Sequence, residues 1–191
     1  MRIIAGELRG RRLKSPASND VRPTSDKVKE AIFSMLIPYM EHDFTAVDLF
    51  AGSGNMGLEA ISRGAERVYF TDASRQSLAL VKENIKICGA EERAVLICGD
   101  FRNNIRRINQ EVDIFFLDPP YADGFIPVAL KAIDAAGNLR VGGVAVCEHA
   151  YKDKLPEDIP GFRLIKERRY GAIAVSIFEK TAKEIEEAEN E

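Results

Sequence analysis

The chain has 191 residues, a formal net charge of −3, 46% apolar and 30% charged residues. That length supports one domain with a good core and a small appendage. The composition excludes a wholly disordered chain, and no apolar run reaches the roughly 20 residues of a membrane-spanning helix.

The small net charge hides two opposed ends. Residues 1–14 hold Arg2, Arg9, Arg11, Arg12 and Lys14 against Glu7 alone, whereas the end of the chain carries Glu179, Glu184, Glu186, Glu187, Glu189 and Glu191 against Lys180 and Lys183. A basic arm masked by an acidic tail keeps a nucleic-acid partner open. Residues 2–13 read as a short hairpin or extended arm, with Ile3-Ile4-Ala5 and Arg11-Arg12-Leu13 flanking a turn that contains Gly6 and Gly10. Such a piece has little core of its own. Its arginines suit phosphates, or else form a solvated basic edge. The polar stretch 14–20, with Pro16, is a linker. The expected division is an arm over 1–20, a main domain over 21–180 and an acidic, frayed tail over 181–191.

A helix is expected over 25–39 with Thr24 or Ser25 as N-cap. Val28, Ala31, Ile32, Met35, Leu36 and Tyr39 share its apolar face, and Lys27, Lys29 and Glu30 take the other. Strands follow at 46–50, 67–71, 94–98, 112–117 and 143–148, alternating with helices at about 74–88, about 102–110 and after Gly124. In the last of these Phe125, Ala129, Leu130 and Ile133 share a face. This rhythm predicts an α/β fold with a parallel sheet and helices on both faces. It then gives way to strands at 162–169 and 172–178 separated by Tyr170-Gly171, a terminal antiparallel hairpin that brings the total to seven strands.

The stretch 45–64, T-A-V-D-L-F-A-G-S-G-N-M-G-L-E-A-I-S-R-G, organises the rest. An apolar strand turns at Ala51-Gly52-Ser53-Gly54 into a helix that stops at Gly64. Glycines admit a ligand close to the backbone, and free N–H groups at the helix start face an anionic or polar group. Gly52, Gly54 and Gly57 fit G-x-G-x-x-G, a dinucleotide fingerprint that alone is weak. Asp48, at the strand's end, is a poor neighbour for a pyrophosphate and suits a ligand with a positive amino group; its alternative reading is a turn cap. Asp72, Asp100 and Asp118 end the next three parallel strands in the same way, so all four carboxylates face one crevice.

Cys88, Cys98 and Cys147 show no C-x-x-C spacing and are expected as reduced, mostly buried thiols. Met1–Gly10 lacks the apolar core of a signal peptide. Both observations suit a cytoplasmic protein. His42 and His149 are isolated and point to no metal.

D-L-F-A-G-S-G resembles the first motif of class I S-adenosylmethionine (AdoMet) methyltransferases, a Rossmann-like fold. That resemblance implies AdoMet as cofactor, S-adenosylhomocysteine as product, and Asp48, Phe50, Gly52, Gly54 and Gly57 around the cofactor. It also implies Asp72 on the ribose hydroxyls, Asp100 on the adenine amino group and Phe101 against the ring. Asp118-Pro119-Pro120-Tyr121 resembles the D/N-P-P-Y signature of methyltransferases acting on exocyclic or amide nitrogens. An aryl amino group is a poor nucleophile because its lone pair is delocalised. Two acceptors on its N–H bonds, the Asp118 carboxylate and the Pro119 carbonyl, free that pair, and Tyr121 stacks on the base. The other reading of this motif is a structural Pro-Pro turn.

Taken with R-I-I-A-G-E-L-R-G-R-R-L (2–13), V-R-P-T-S-D-K-V-K-E-A-I-F (21–33) and R-R-Y-G (168–171), the chain resembles the bacterial RsmD-like family, which methylates guanine N2 in 16S ribosomal RNA. The resemblance implies guanine 966 in the usual numbering of that RNA. It implies Arg2, Arg9, Arg11, Arg12 and Arg22 on RNA phosphates, and Thr24 and Lys27 beside the cofactor mouth. It further implies an rRNA or small-subunit particle as partner, a monomer, and no metal or membrane. Another amino-methyltransferase, acting on DNA adenine or a different rRNA base, is the alternative. An NAD-binding oxidoreductase is a different class and leaves D-P-P-Y unexplained, and an RNA-binding factor without catalysis leaves no use for Asp118 and Tyr121.

Overall fold

The computed structural model describes residues 1–16, 25–41, 43–120, 124–156 and 158–182. Arg22, Thr24, His42, Tyr121 and the acidic tail from Lys183 lie outside the described residues. The elements are α1 (Asp26–Leu36), β1 (Thr45–Asp48), α2 (Asn55–Ser62), β2 (Arg67–Asp72), α3 (Arg75–Cys88), β3 (Ala94–Cys98) and α4 (Phe101–Arg106). They continue with β4 (Val112–Leu117), α5 (Phe125–Ala136), β5 (Leu139–Ala150), β6 (Asp158–Ile159), β7 (Phe162–Tyr170) and β8 (Ile173–Lys180).

One sheet runs in the order β3-β2-β1-β4-β5-β8-β7-β6. Its first five strands are parallel, and β8, β7 and β6 add antiparallel. Side chains alternate between the sheet faces, as period-two geometry requires. Ala46, Ile114 and Phe116 face a core completed by Ile32 of α1, Ile61 of α2 and Val81 of α3. Val47, Phe115 and Leu117 face the other core, closed by Ile105 of α4 and Leu130 of α5. This is the expected doubly covered α/β layout.

The structure differs from the sequence expectations at several places. The sheet has eight strands rather than seven. The extra one, β6, is two residues long and flanked by prolines, too short for any periodic signal. Strand β5 begins at Leu139 rather than 143, and a register shift between Val112 and Ile114 of β4 absorbs its Gly142-Gly143 interruption. Helix α1 stops at Leu36 and tightens into a 3-10 turn over Ile37–Tyr39, because Pro38 cannot donate the next helical hydrogen bond. Ser25 is its N-cap. Helix α4 begins at Phe101, capped by Asp100, and ends at Arg106 rather than 110. Among the cysteines, Cys88 and Cys147 are buried and Cys98 is exposed.

A further difference lies in how the N-terminal arm packs. It forms a single antiparallel bridge between Arg2 and Arg12 and contributes Ile3 and Leu13 to the core. Its backbone bonds mostly to α2: Ile4 and Ala5 N–H donate to the Glu59 carboxylate at 2.9 and 3.0 Å, and Leu8 N–H donates to Ser62 Oγ at 2.9 Å. The chain crosses α2 at Gly6, whose φ is +81° and where a Cβ would fall 1.7 Å from the Ser62 carbonyl oxygen.

Lys29 does not take the solvent face. It is 1% exposed and meets Glu59, itself 0% exposed, at 2.9 Å. Its ammonium also donates to the Arg2 carbonyl at 2.7 Å and to Asn55 Oδ1 at 2.8 Å, so all three N–H bonds are used. Glu59 further accepts from Arg63 Nε at 3.0 Å. Breaking a buried pair from one side leaves an uncompensated charge. Lys29→Met should therefore lower the unfolding free energy by about 3–5 kcal/mol, read as a fall in urea midpoint at unchanged m-value.

Candidate active site

A cavity of about 520 Å³ opens at the C-terminal ends of the parallel strands. Asp48, Asp72, Asp100 and Asp118 all line it, as does the turn from Phe50 to Ser53 and the pair Pro119-Pro120. The expected convergence of strand-end carboxylates is thus present in three dimensions.

Each carboxylate meets a different environment. Asp48 is buried, and its Oδ2 accepts from Gly57 N–H at 2.9 Å. It therefore ties the end of β1 to the first turn of α2, the capping role that was the alternative reading. Burial pushes its pKa up to about 7, Asp72 adds to the rise and the Gly57 amide opposes it. Asp72 accepts from Gly52 N–H at 3.0 Å and from Ser74 N–H at 2.8 Å, which sets the turns after β1 and β2. Asp100 is engaged by Arg102, whose backbone N–H lies at 3.0 Å and whose guanidinium donates at 2.9 and 2.8 Å. That pairing holds Asp100 below the usual carboxylate range. The pKa of Asp118 is raised well above its ordinary value by burial, then by the charges of Glu148 and Asp48. Repulsion among them is eased by N–H donors to Asp48 and Asp72 and by the Arg102 guanidinium on Asp100.

The glycines divide their work. Gly52 lines the cavity, whereas Gly54 and Gly57 do not. Gly54 caps α2 with φ +78°. A Cβ on Gly57 would lie 2.3 Å from the Phe70 ring, so this position serves helix–strand packing. Phe50 and Phe101 approach with ring centroids 5.3 Å apart, and Phe125 stands 6.0 Å from Phe101. All three line the cavity and give it an apolar side.

Sequence reasoning missed several wall residues. Met1 and Pro16 reach the cavity from the arm, and Ser53 Oγ donates to Met1 Sδ at 3.5 Å. Phe125 comes from α5. No local pattern marks the arm residues, because they arrive only through the docking of the arm on α2. The arm's cations sit at the surface. Arg2 pairs with Asp26 at 2.9 Å, and Arg11 Nη1 donates to the Ile87 carbonyl at 2.9 Å. Arg9, Arg12 and Lys27 are exposed. Among the described residues no cluster of His, Cys, Asp and Glu could hold a metal ion, and no helix is long and apolar enough to cross a membrane.

The family model described as Conserved hypothetical protein 95 matches residues 1–179. The Bacillus subtilis protein YlbH is 37% identical over 183 residues, covering 94% of this chain and 99% of the relative. Ribosomal RNA small subunit methyltransferase D of Haemophilus influenzae is 32% identical over 182 residues, covering 94% and 93%. The solved structure of the Escherichia coli protein yhhF superposes with a TM-score of 0.84 at 28% identity, covering 96% of this chain and 99% of that one. The matches span the arm, the glycine turn and the strand-end carboxylates alike, and the chain belongs to the Conserved hypothetical protein 95 family, the RsmD-like methyltransferases.

Proposed function

We propose that this chain uses AdoMet to methylate the exocyclic N2 of a guanine in small-subunit ribosomal RNA, guanine 966 in the usual numbering. The observation that carries the reading is the placement of Asp118-Pro119-Pro120 on the same cavity as the glycine turn and Asp48. The donor set suits the cofactor: carboxylates for a cationic amino acid end and ribose hydroxyls, and phenylalanines for an adenine ring. When bound, AdoMet supplies an electrophilic methyl group on a sulfonium. Asp48 meets the ammonium. Asp72 keeps lone pairs beyond those given to Gly52 and Ser74 for the ribose. Asp100 serves the adenine amino group while still held by Arg102. Asp118 and the Pro119 carbonyl grip the two N2–H bonds of the base, and Tyr121 stacks on it. A cation near Asp48 and Asp118 favours their ionised forms, and an ionised Asp118 with a high proton affinity is suited to take the surplus proton. The base must leave its stack to reach Asp118. The exposed arginines of the arm hold the RNA backbone beside the mouth that Met1 and Pro16 line.

Four measurements test this reading. Incubation with AdoMet and ribosomal RNA from cells lacking the native modification should methylate one guanine at N2, mapped by mass spectrometry. Asp118→Ala should cut the single-turnover rate by about 10²-fold or more while leaving AdoMet affinity nearly unchanged. Wild-type rates in that variant would mean that the proline pair is only a structural turn.

The pH dependence follows from Asp48. Below pH 7 its carboxyl is protonated in the free protein, whereas the ammonium favours the ionised form. AdoMet affinity should therefore rise with pH up to about 7, by at most roughly tenfold per unit, with proton release on binding. Asp48→Asn keeps the acceptor for Gly57 and should flatten the profile. Calorimetry between pH 5.5 and 7 in two buffers reads both quantities.

Neutralising Arg9, Arg11 and Arg12 together should weaken RNA binding and reduce the salt slope by roughly 0.7–0.9 per lost phosphate contact, with AdoMet affinity unchanged. The parental slope in the triple variant would make the arm a solvated edge.

A further inference from the structure

A second, smaller cavity of about 260 Å³ adjoins the first, and Pro119, Pro120 and Phe125 belong to the walls of both. Its size suits one planar ring system. Glu148, near the end of β5 and 6% exposed, lines it. The register of β4 and β5 pairs Leu117 with Cys147, which sets Asp118 and Glu148 side by side at the ends of neighbouring strands. Adjacent strands lie about 4.8 Å apart, close enough for the two carboxylates to reach neighbouring atoms of one base edge. His149 also lines it, with both ring nitrogens engaged, Nε2 with Ser176 Oγ at 2.9 Å and Nδ1 with the Ala150 carbonyl at 3.0 Å. Lys154 also lines this wall, its ammonium 4.3 Å from the Tyr151 ring and 3.7 Å from the Glu167 carboxylate.

Resting on the function proposed above, we infer that this second cavity receives the Watson–Crick edge of the extruded guanine and that Glu148 selects it. Guanine presents N1–H beside its N2 amino group, with the O6 carbonyl on the far side of N1–H. Adenine and cytosine present an acceptor where guanine has N1–H. A carboxylate at Glu148 accepts N1–H while its neighbour Asp118 accepts from N2, and Lys154 offers a donor to O6. An adenine in the same place would set its N1 lone pair against the Glu148 carboxylate. Buried polar groups built for one hydrogen-bonding edge reject an analogue that lacks it far more strongly than apolar pockets do.

The test compares RNA carrying guanosine at the target position with the same RNA carrying 2-aminopurine, which keeps the N2 amino group but has an acceptor at N1 and no O6. The wild-type protein should favour guanosine in kcat/KM by about 10²-fold or more. Glu148→Gln, which can donate to the 2-aminopurine N1, should bring that ratio to within about tenfold or invert it. A Glu148 that acts only on the charge of Asp118 would slow both substrates equally and leave the ratio unchanged, which would overturn the inference. Equal wild-type kcat/KM values on the two RNAs would overturn it without any variant. Absence of wild-type methylation on the guanosine RNA would instead remove the functional reading on which it rests.

Discussion

The site depends on one hydrogen bond, from Gly57 N–H to the Asp48 carboxylate. It joins the end of the central strand to the first turn of α2 and so fixes how the chain turns between them. The bond runs through a buried carboxyl, which is why Asp48 carries a pKa near neutrality. Gly57 is needed for the same closeness, since Phe70 occupies the place of any Cβ. The turn that results leaves Phe50, Gly52 and Ser53 facing the cavity. Asp72 holds the turn from the neighbouring strand through Gly52 N–H. Two aspartates therefore build the loop that they also line, and structural and functional readings of them are not alternatives.

The second constraint is the buried Lys29–Glu59 pair. It costs desolvation of two charges, and the structure offsets that with full hydrogen bonding of both. In doing so it collects three pieces of chain distant in sequence: the arm at Arg2, Ile4 and Ala5, helix α1, and α2 from Asn55 at its start to Arg63 at its end. The arm is consequently a wall of the cavity through Met1 and Pro16 while its arginines remain outside. One segment thus carries a cavity wall on one side and exposed cations on the other.

The fold was legible in the sequence because its elements are set by local signals. Asp48, Asp72, Asp100 and Asp118 end consecutive β-strand segments, and the βαβ rhythm makes those strands parallel, so their ends converge without further information. Strands β3 and β4 fall on their expected bounds, and α3 stops at Gly89 with φ +64°. The aromatic side of the cavity was legible only in part. Phe50 and Phe101 follow strand ends, but Phe125 reaches them from α5 across the sheet edge.

Helical periodicity left Lys29 on the polar face, since a lysine beside the apolar stripe reads as solvated until Glu59, thirty residues later, is packed against it. The arm reads as a free basic hairpin because nothing in residues 2–13 announces the amide acceptors on α2. The pairing of Asp118 with Glu148 depends on the shift in register between Val112 and Ile114, which moves β5 along β4. By itself, then, the sequence determined the strands, the turns and the carboxylates at their ends, because each is encoded by residues adjacent in the chain. Only the tertiary structure decided which of those carboxylates are buried, which are partnered and which stand side by side, because these properties arise from contacts between segments far apart in sequence and leave no local pattern.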